Sequence, residues 1–303
     1  MRFKILKSRF IKTWRKLEKV FGIIFLIHAL LFLFFIDSKF NVDGFVVQDL
    51  RTKVLFVLLV IFAGWAIYYF VLRKIKFFHK LGVICKDVFF ACYISSFLYL
   101  LLGSLINPPI TLTQAGSIVQ GYGLHRDYIS YKNMGAPIKL AVMASEDQLF
   151  ADHDGFDIKA IARAVKYNQR HTQKQRGAST ISQQTAKNIF LWQGGGFLRK
   201  GLEVFFTYSI EHIWAKRIIL CRYLNIAEMG PGIFGVQAAA KKYFNKNASE
   251  LSRQEAAMIA ACLPNPKKYS VVPLSKYVAA RSQMILRQMR NLETDPDILA
   301  IIQ

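Results

Sequence analysis

Three long apolar runs crowd the first third of the chain, at Val20–Ile36, Val54–Leu72 and Val88–Ile106. Each approaches the roughly 20 apolar residues that cross about 30 Å of hydrocarbon, so each predicts a membrane span. The first is the shortest, but Phe, Leu and Ile dominate it and only His28 could carry charge there, which favours a span over an interfacial or buried helix. Asn107–Gly123, rich in Pro, Gly and Thr, predicts a connector or a short strand pair.

From Ala136 onward the apolar positions recur at helical spacing. Ile138, Leu140, Ala141, Val142, Leu149 and Phe150 predict one helix over Ile138–Phe150, and the period resumes at Ile158. Thr180 and Gln183 form a capping box that opens a helix through Trp192. A long helical run extends from Leu198 to about Ala227 and is broken by Gly230–Gly235. Shorter helices follow at Val236–Phe244, Ser252–Cys262 and Ser275–Arg290, with Ser252 and Glu255 as a second capping box. No strand run, internal repeat or low-complexity segment stands out. The pattern predicts a membrane region over 1–107 and a mainly α domain over 108–303, long enough for a single core.

Charge adds an orientation. The net charge is +22. Arg2, Lys4, Lys7, Arg9, Lys12, Arg15, Lys16 and Lys19 precede the first run, and Arg73, Lys74, Lys76, Lys80 and Lys86 lie between the second and third. The segment from Asp37 to Lys53 has only Lys39, Arg51 and Lys53. Basic residues near span ends stay cytoplasmic, so three spans leave the helical domain on the extracytoplasmic side of the cytoplasmic membrane. The long charged start and the lack of a small-residue cleavage site predict that the spans are retained. Cys85 and Cys92 fall in or beside the third run, and no spacing predicts zinc; an oxidising compartment would permit a disulfide between Cys221 and Cys262, but their apolar helical contexts favour inert buried thiols.

Against this positive balance, Glu146, Asp147, Asp152, Asp154 and Asp157 cluster with His153. A calcium loop would need alternating oxygen ligands and a closing glutamate, which are missing. A solvated acidic face leaves the interleaved Phe150 and Phe156 unexplained. The remaining reading is a catalytic carboxylate, Glu146, where an apolar helix emerges into polar surroundings and partial burial raises its pKa toward that of a useful base.

Two further clusters each allow a bland reading. Arg176 and Gly177 precede the capped helix near Ser179, whose free N–H groups attract anions, and Lys187 shares a face with Gln183; an ordinary capped surface helix would look the same. Arg199 and Lys200 precede Glu203 by four and three residues, as in many surface ion pairs. Together, however, two carboxylates suit chemistry at an anomeric carbon, and a ring of cations suits a phosphate or pyrophosphate leaving group.

The segments Ala144–Asp157, Arg176–Leu191 and Arg199–Glu203 resemble three motifs of the peptidoglycan glycosyltransferases, or biosynthetic transglycosylases: E-D-x-x-F-x-x-H-x-G, G-x-S-T-I-x-Q-Q-x-x-K-N and R-K-x-x-E. Lys216–Phe244 resembles a fourth motif with its glycine turn, and Glu255–Pro273 the last. The likeness covers about Ile138–Pro273 and is greatest to the monofunctional members. It implies a lysozyme-like helical glycosyltransferase domain that polymerises lipid II. It also implies Glu146 as general base and Glu203 as the group that helps undecaprenyl pyrophosphate depart, by positioning cations or a divalent ion, Mg or Mn. Arg176, Lys187, Arg199 and Lys200 then surround the phosphates, Ser179, Thr180 and Gln183 line the cleft, and Asp147, Phe150, His153 and Asn225 are supports. No organic cofactor is expected.

Inverting attack on an α-linked pyrophosphate puts base and leaving group on opposite sides of the sugar, which assigns the roles to different motifs. The implied partners are lipid II, the growing lipid-linked glycan and the membrane itself, whose anionic head groups suit the basic surface. No S-x-x-K occurs, so the transpeptidase half of bifunctional relatives is not expected here, and separate transpeptidases would cross-link the product. Three departures stand out: three runs where the family has one span, Cys221 where it has glutamate, and Ser182 where threonine is commoner. The rival readings are a lysozyme-like lytic enzyme, which needs no pyrophosphate site, and a catalytically degenerate membrane scaffold. Topology and phosphate binding account for the charge, so a nucleic-acid role is not expected.

Overall fold

A computed structural model describes residues 2–39, 56, 59–60, 62–171 and 176–303, and the chain falls into two compact units, Met1–Tyr99 and Leu100–Gln303. In the first unit, α1 (Arg2–Lys39) and all but the last four residues of α2 (Lys76–Gly103) dominate. Both contain stretches long and apolar enough to cross a membrane, Arg9–Ile36 and Lys76–Gly103, and hardly any of either is buried by protein. Such bare apolar surface suits a membrane anchor. Phe25 lies edge-on to Phe89 and Tyr93, with ring centroids 5.2 and 5.1 Å away, and His28 Nδ1 lies 3.3 Å from Tyr93 Oη.

The expected second run, Val54–Leu72, lies partly outside the described residues; helical backbone is described at 62–70. The third apolar run is displaced from its expected position. Its helix starts at Lys76, takes in Lys80 and Lys86, and stops at Gly103. The last residues of this helix, from Leu100, belong to the second unit, where Trp214 Nε1 donates to Leu100 O at 2.8 Å and Arg222 Nε donates to Gly103 O at 2.7 Å. These donors satisfy carbonyls that a helix end leaves without partners.

The second unit is helical: α3 (Leu112–Val119), α4 (Ala136–Glu146), α5 (Ile158–Arg170), α6 (Ile181–Phe190), α7 (Phe197–Ile213), α8 (Lys216–Ile226), α9 (Val236–Phe244), α10 (Arg253–Cys262), α11 (Lys276–Leu292) and α12 (Pro296–Ile302). The core has two groups. In one, α4 packs on α10 and α11; in the other, α6 packs on α7 and α8. Ile138 through Ala144 are all buried, so α4 is enclosed on every face.

Several expectations are corrected. Asn107–Gly123 holds α3, opened by a capping box between Thr111 and Gln114. A small sheet exists, in the order β1–β3–β2, from β1 (His125–Arg126), β2 (Glu228–Gly230) and β3 (Ile233–Phe234), with β1 parallel and β2 antiparallel to β3. Strands of two or three residues are too short for an alternating pattern to show. Gly235, at φ 85°, follows β3; a Cβ there would lie 2.5 Å from Asn225 O.

The long run ending near Ala227 is two helices, because Trp214 and Ala215 take extended backbone with ψ 137° and 151°. No glycine or proline marks that break; the buried Trp214 side chain holds it. The helix expected over Ile138–Phe150 ends at Glu146, where Asp147 turns away at φ −162° and ψ 80°. Both predicted capping boxes, Thr180 with Gln183 and Ser252 with Glu255, are present.

Candidate active site

Glu146 is the last residue of α4 and half-buried at the edge of a cleft of about 720 Å³. Its Oε1 accepts from Ser145 Oγ at 3.1 Å and its Oε2 from Gln184 Nε2 at 2.8 Å. Burial pushes its pKa above the ordinary carboxylate value; the donated bonds from Gln184 and Ser145, and the charge of Arg281, pull the other way. The helix end thus presents a carboxylate made more basic by its burial.

The next residue explains why this carboxylate is held so firmly. Asp147 Oδ2 accepts the Ile181 N–H at 2.9 Å, closing the amino end of α6. His153 Nδ1 accepts the Gly155 N–H at 3.1 Å, which leaves Nε2 to carry the proton and donate to Asp147 Oδ1 at 2.9 Å. Gly155 sits at φ 87°, and a Cβ there would come within 2.8 Å of Thr207 and Glu211 side-chain atoms. Thr180 Oγ1 donates to Gly155 O at 2.6 Å while accepting the Gln183 N–H at 3.2 Å. Phe150 is fully buried, with the Lys216 ammonium 4.7 Å from its ring centroid. Ser182 donates to Glu211, which Lys216 also contacts at 2.9 Å.

The cation-rich cluster is built on α6 and α7. Glu203 is buried, with Oε2 accepting from Arg199 Nη1 at 2.6 Å and Oε1 from Lys200 Nζ. Lys187 feels both regions: burial lowers its pKa, the charge of Glu203 raises it, Arg199 and Lys200 lower it, and Glu146 raises it more weakly. As it stands, Glu203 does not fit a metal ligand, because both of its oxygens already face cations. Among the described residues, no group of three His, Cys, Asp or Glu side chains is placed to hold an ion.

The cleft therefore gathers Glu146, Asp147, Ser179 and Thr180, whereas Lys187, Arg199, Lys200 and Glu203 lie outside its lining. Gln183 turns back to accept the Thr180 N–H at 3.1 Å and is spent on the cap. Arg176 is exposed, stacked 3.8 Å over the Tyr167 ring, with its backbone bonded to Asn168. Asn225 pins Ile129 through paired 3.0 Å bonds to its N–H and C=O. Three residues escaped sequence reasoning: Gln184, Tyr223, whose hydroxyl donates to Gln184 Oε1 at 3.1 Å, and Arg281, whose Nη2 donates to Ser145 O at 3.2 Å. For Gln184 a signal existed, since it stands three residues before Lys187 on one helical face.

Known proteins are similar to this chain over much of the second unit. A family model described as Transglycosylase matches residues 114–290. The chain is 55% identical over 174 residues to a biosynthetic peptidoglycan transglycosylase of Pectobacterium carotovorum subsp. carotovorum (strain PC1), an alignment covering 57% of this chain and 71% of the relative. It is 57% identical over 171 residues to a protein of the same description from Yersinia pseudotuberculosis serotype O:3 (strain YPIII), covering 56% and 71%.

Proposed function

The chain belongs to the transglycosylase family, and on that premise we propose that it polymerises lipid II into linear glycan strands of peptidoglycan, releasing undecaprenyl pyrophosphate with inversion at the anomeric carbon. The observation that carries this reading is Glu146, a half-buried carboxylate with raised basicity at the mouth of a cleft. In the proposed reaction Glu146 takes the proton of the acceptor 4-hydroxyl as that oxygen attacks the anomeric carbon of the growing chain. Asp147, His153 and Thr180 hold the end of α4 against the start of α6, so the base does not drift. Lys187, Arg199 and Lys200 neutralise the departing pyrophosphate, and Glu203 holds the last two of these cations in place. Arg176 and Ser179 are exposed before α6 and available to substrate.

The substrate's polyprenyl chain lies in a bilayer, which accounts for the bare apolar helices α1 and α2. With the basic segments cytoplasmic, the second unit works on the extracytoplasmic face of the cytoplasmic membrane, and the first unit is a multi-pass anchor. Partners are then the membrane and separate transpeptidases that cross-link the strands.

The test is polymerisation of labelled lipid II by the detergent-purified full-length protein beside Glu146→Gln. A ladder of polymers from the parent, absent with a folded Glu146→Gln, supports both the reaction and the base. Release of fragments from intact sacculi without polymer from lipid II would replace this reading with a lytic one.

A further inference from the structure

Tyr223 lies fully buried on α8 and donates its hydroxyl to Gln184 Oε1 at 3.1 Å, while Gln184 Nε2 donates to Glu146 Oε2 at 2.8 Å. The two bonds depend on each other. With Oε1 taken by the phenol proton, the amide must turn its NH2 toward the carboxylate. A flipped amide would set Oε1 against a carboxylate oxygen, a repulsive contact in a half-buried site.

We infer that Tyr223, acting through Gln184, is a positioning residue for Glu146: it fixes the amide so that its NH2 holds the carboxylate aimed into the cleft. This inference rests on the reading of Glu146 as the base. Ser145 occupies the other carboxylate oxygen at 3.1 Å, so each oxygen keeps one donor and has room for an incoming hydroxyl.

The groups that bear on Glu146 come from every element around it. Asp147 follows it in the chain, Lys187 stands on α6, Tyr223 on α8, Cys262 on α10, and Tyr277 and Arg281 on α11. Burial drives the Tyr223 phenol far above its ordinary pKa, so it keeps the proton it donates across the working range. Asp147 and burial favour a protonated Glu146, whereas Gln184, Ser145 and Arg281 favour the ionised form. The Gln184 bond is itself oriented by a second, fully buried group, the Tyr223 hydroxyl.

The experiment is the pH dependence of kcat and KM for lipid II polymerisation, on full-length parent, Gln184→Leu, Tyr223→Phe, the double variant and Glu146→Gln. Loss of one hydrogen bond to a charged acceptor moves the acid limb of the Gln184→Leu kcat profile upward by about one pH unit. KM stays within about twofold, since a lost transition-state interaction acts on kcat. Tyr223→Phe shifts the limb the same way by less, because the amide remains but is free to turn. The double variant matches Gln184→Leu, as expected if Tyr223 acts only through the amide.

Acid limbs equal to the parent's in Tyr223→Phe and Gln184→Leu, beside an inactive Glu146→Gln, would overturn the relay and leave the base standing. An active Glu146→Gln would instead remove the base reading and the relay with it. If Gln184→Leu fails to fold, Tyr223→Phe, which deletes a single oxygen, decides by its own limb.

Discussion

Asp147 accepts the backbone N–H of Ile181 at 2.9 Å, so the residue that ends α4 also begins α6. The same carboxylate accepts from His153 Nε2 at 2.9 Å; the bond to Ile181 is buried and the bond to His153 half-buried. Asp147→Ala strips a helix cap and leaves two donors without an acceptor, which should destabilise the second unit by about 2–4 kcal/mol. Thermal unfolding and polymerisation, followed together, should both fall. An unchanged Tm would show that the junction does not depend on this side chain.

Glu146 itself should be a source of instability at neutral pH. Its folded pKa is raised above the unfolded value by burial, so the fold prefers the protonated form. The associated stability is present at low pH and is lost as pH rises through the folded pKa. Glu146→Gln, inactive, should therefore melt higher than the parent at neutral pH, by about 2–4 °C for about 1 kcal/mol, and the gap should close in acid. A lower Tm for Glu146→Gln at pH 7 would contradict this. The parent's polymerisation rate should likewise rise with pH along a limb set above the ordinary carboxylate range.

Glu203→Gln leaves Arg199 and Lys200 without their shared anion on α7. The two cations then repel and swing from the position proposed for the pyrophosphate. Turnover should fall by about 100-fold, as for loss of one fixed electrostatic group, with a smaller loss in stability. Single-turnover rates would isolate the chemical step, and retention of more than half of the parent rate would remove Glu203 from its proposed role.

Cys221 bears on Lys139, whose ammonium is almost fully buried, donates to Ile302 O at 2.9 Å and lies 3.8 Å from the centre of the Tyr131 ring. Burial lowers the Lys139 pKa and Arg217 lowers it further, and burial also pushes the nearby Cys221 thiol up, away from the anionic form. A carboxylate at 221 should supply the missing anion. Cys221→Glu should melt about 2–4 °C above Cys221→Gln, which matches it in size without the charge. Equal melting temperatures would mean that carbonyl and ring contacts already satisfy the lysine.

Much of the fold is set by local chemistry and is legible residue by residue. The capping boxes at Thr180 and Ser252 need only side chains three residues apart, and both occur where the sequence places them. The helical period of Val236–Phe244 likewise suffices for α9. Glu146, Glu203 and their neighbouring cations were recognisable because each cluster is contiguous along the chain, and the Arg199, Lys200 and Glu203 contacts are short-range in sequence.

What the sequence alone determined, then, are the apolar helices, the capped starts and the family's motifs, all written at separations of a turn or two. Only the tertiary structure decided the contacts between distant segments. The break at Trp214 depends on an indole bonded to Leu100, α4 stops at Glu146 where Asp147 turns to meet Ile181, and the Glu146 carboxylate is served by Gln184 and, through it, Tyr223. Those partners lie 34 to 114 residues apart, and no local pattern marks them. Their pairing follows from which buried polar groups meet once the helices pack, because each must find a partner away from water.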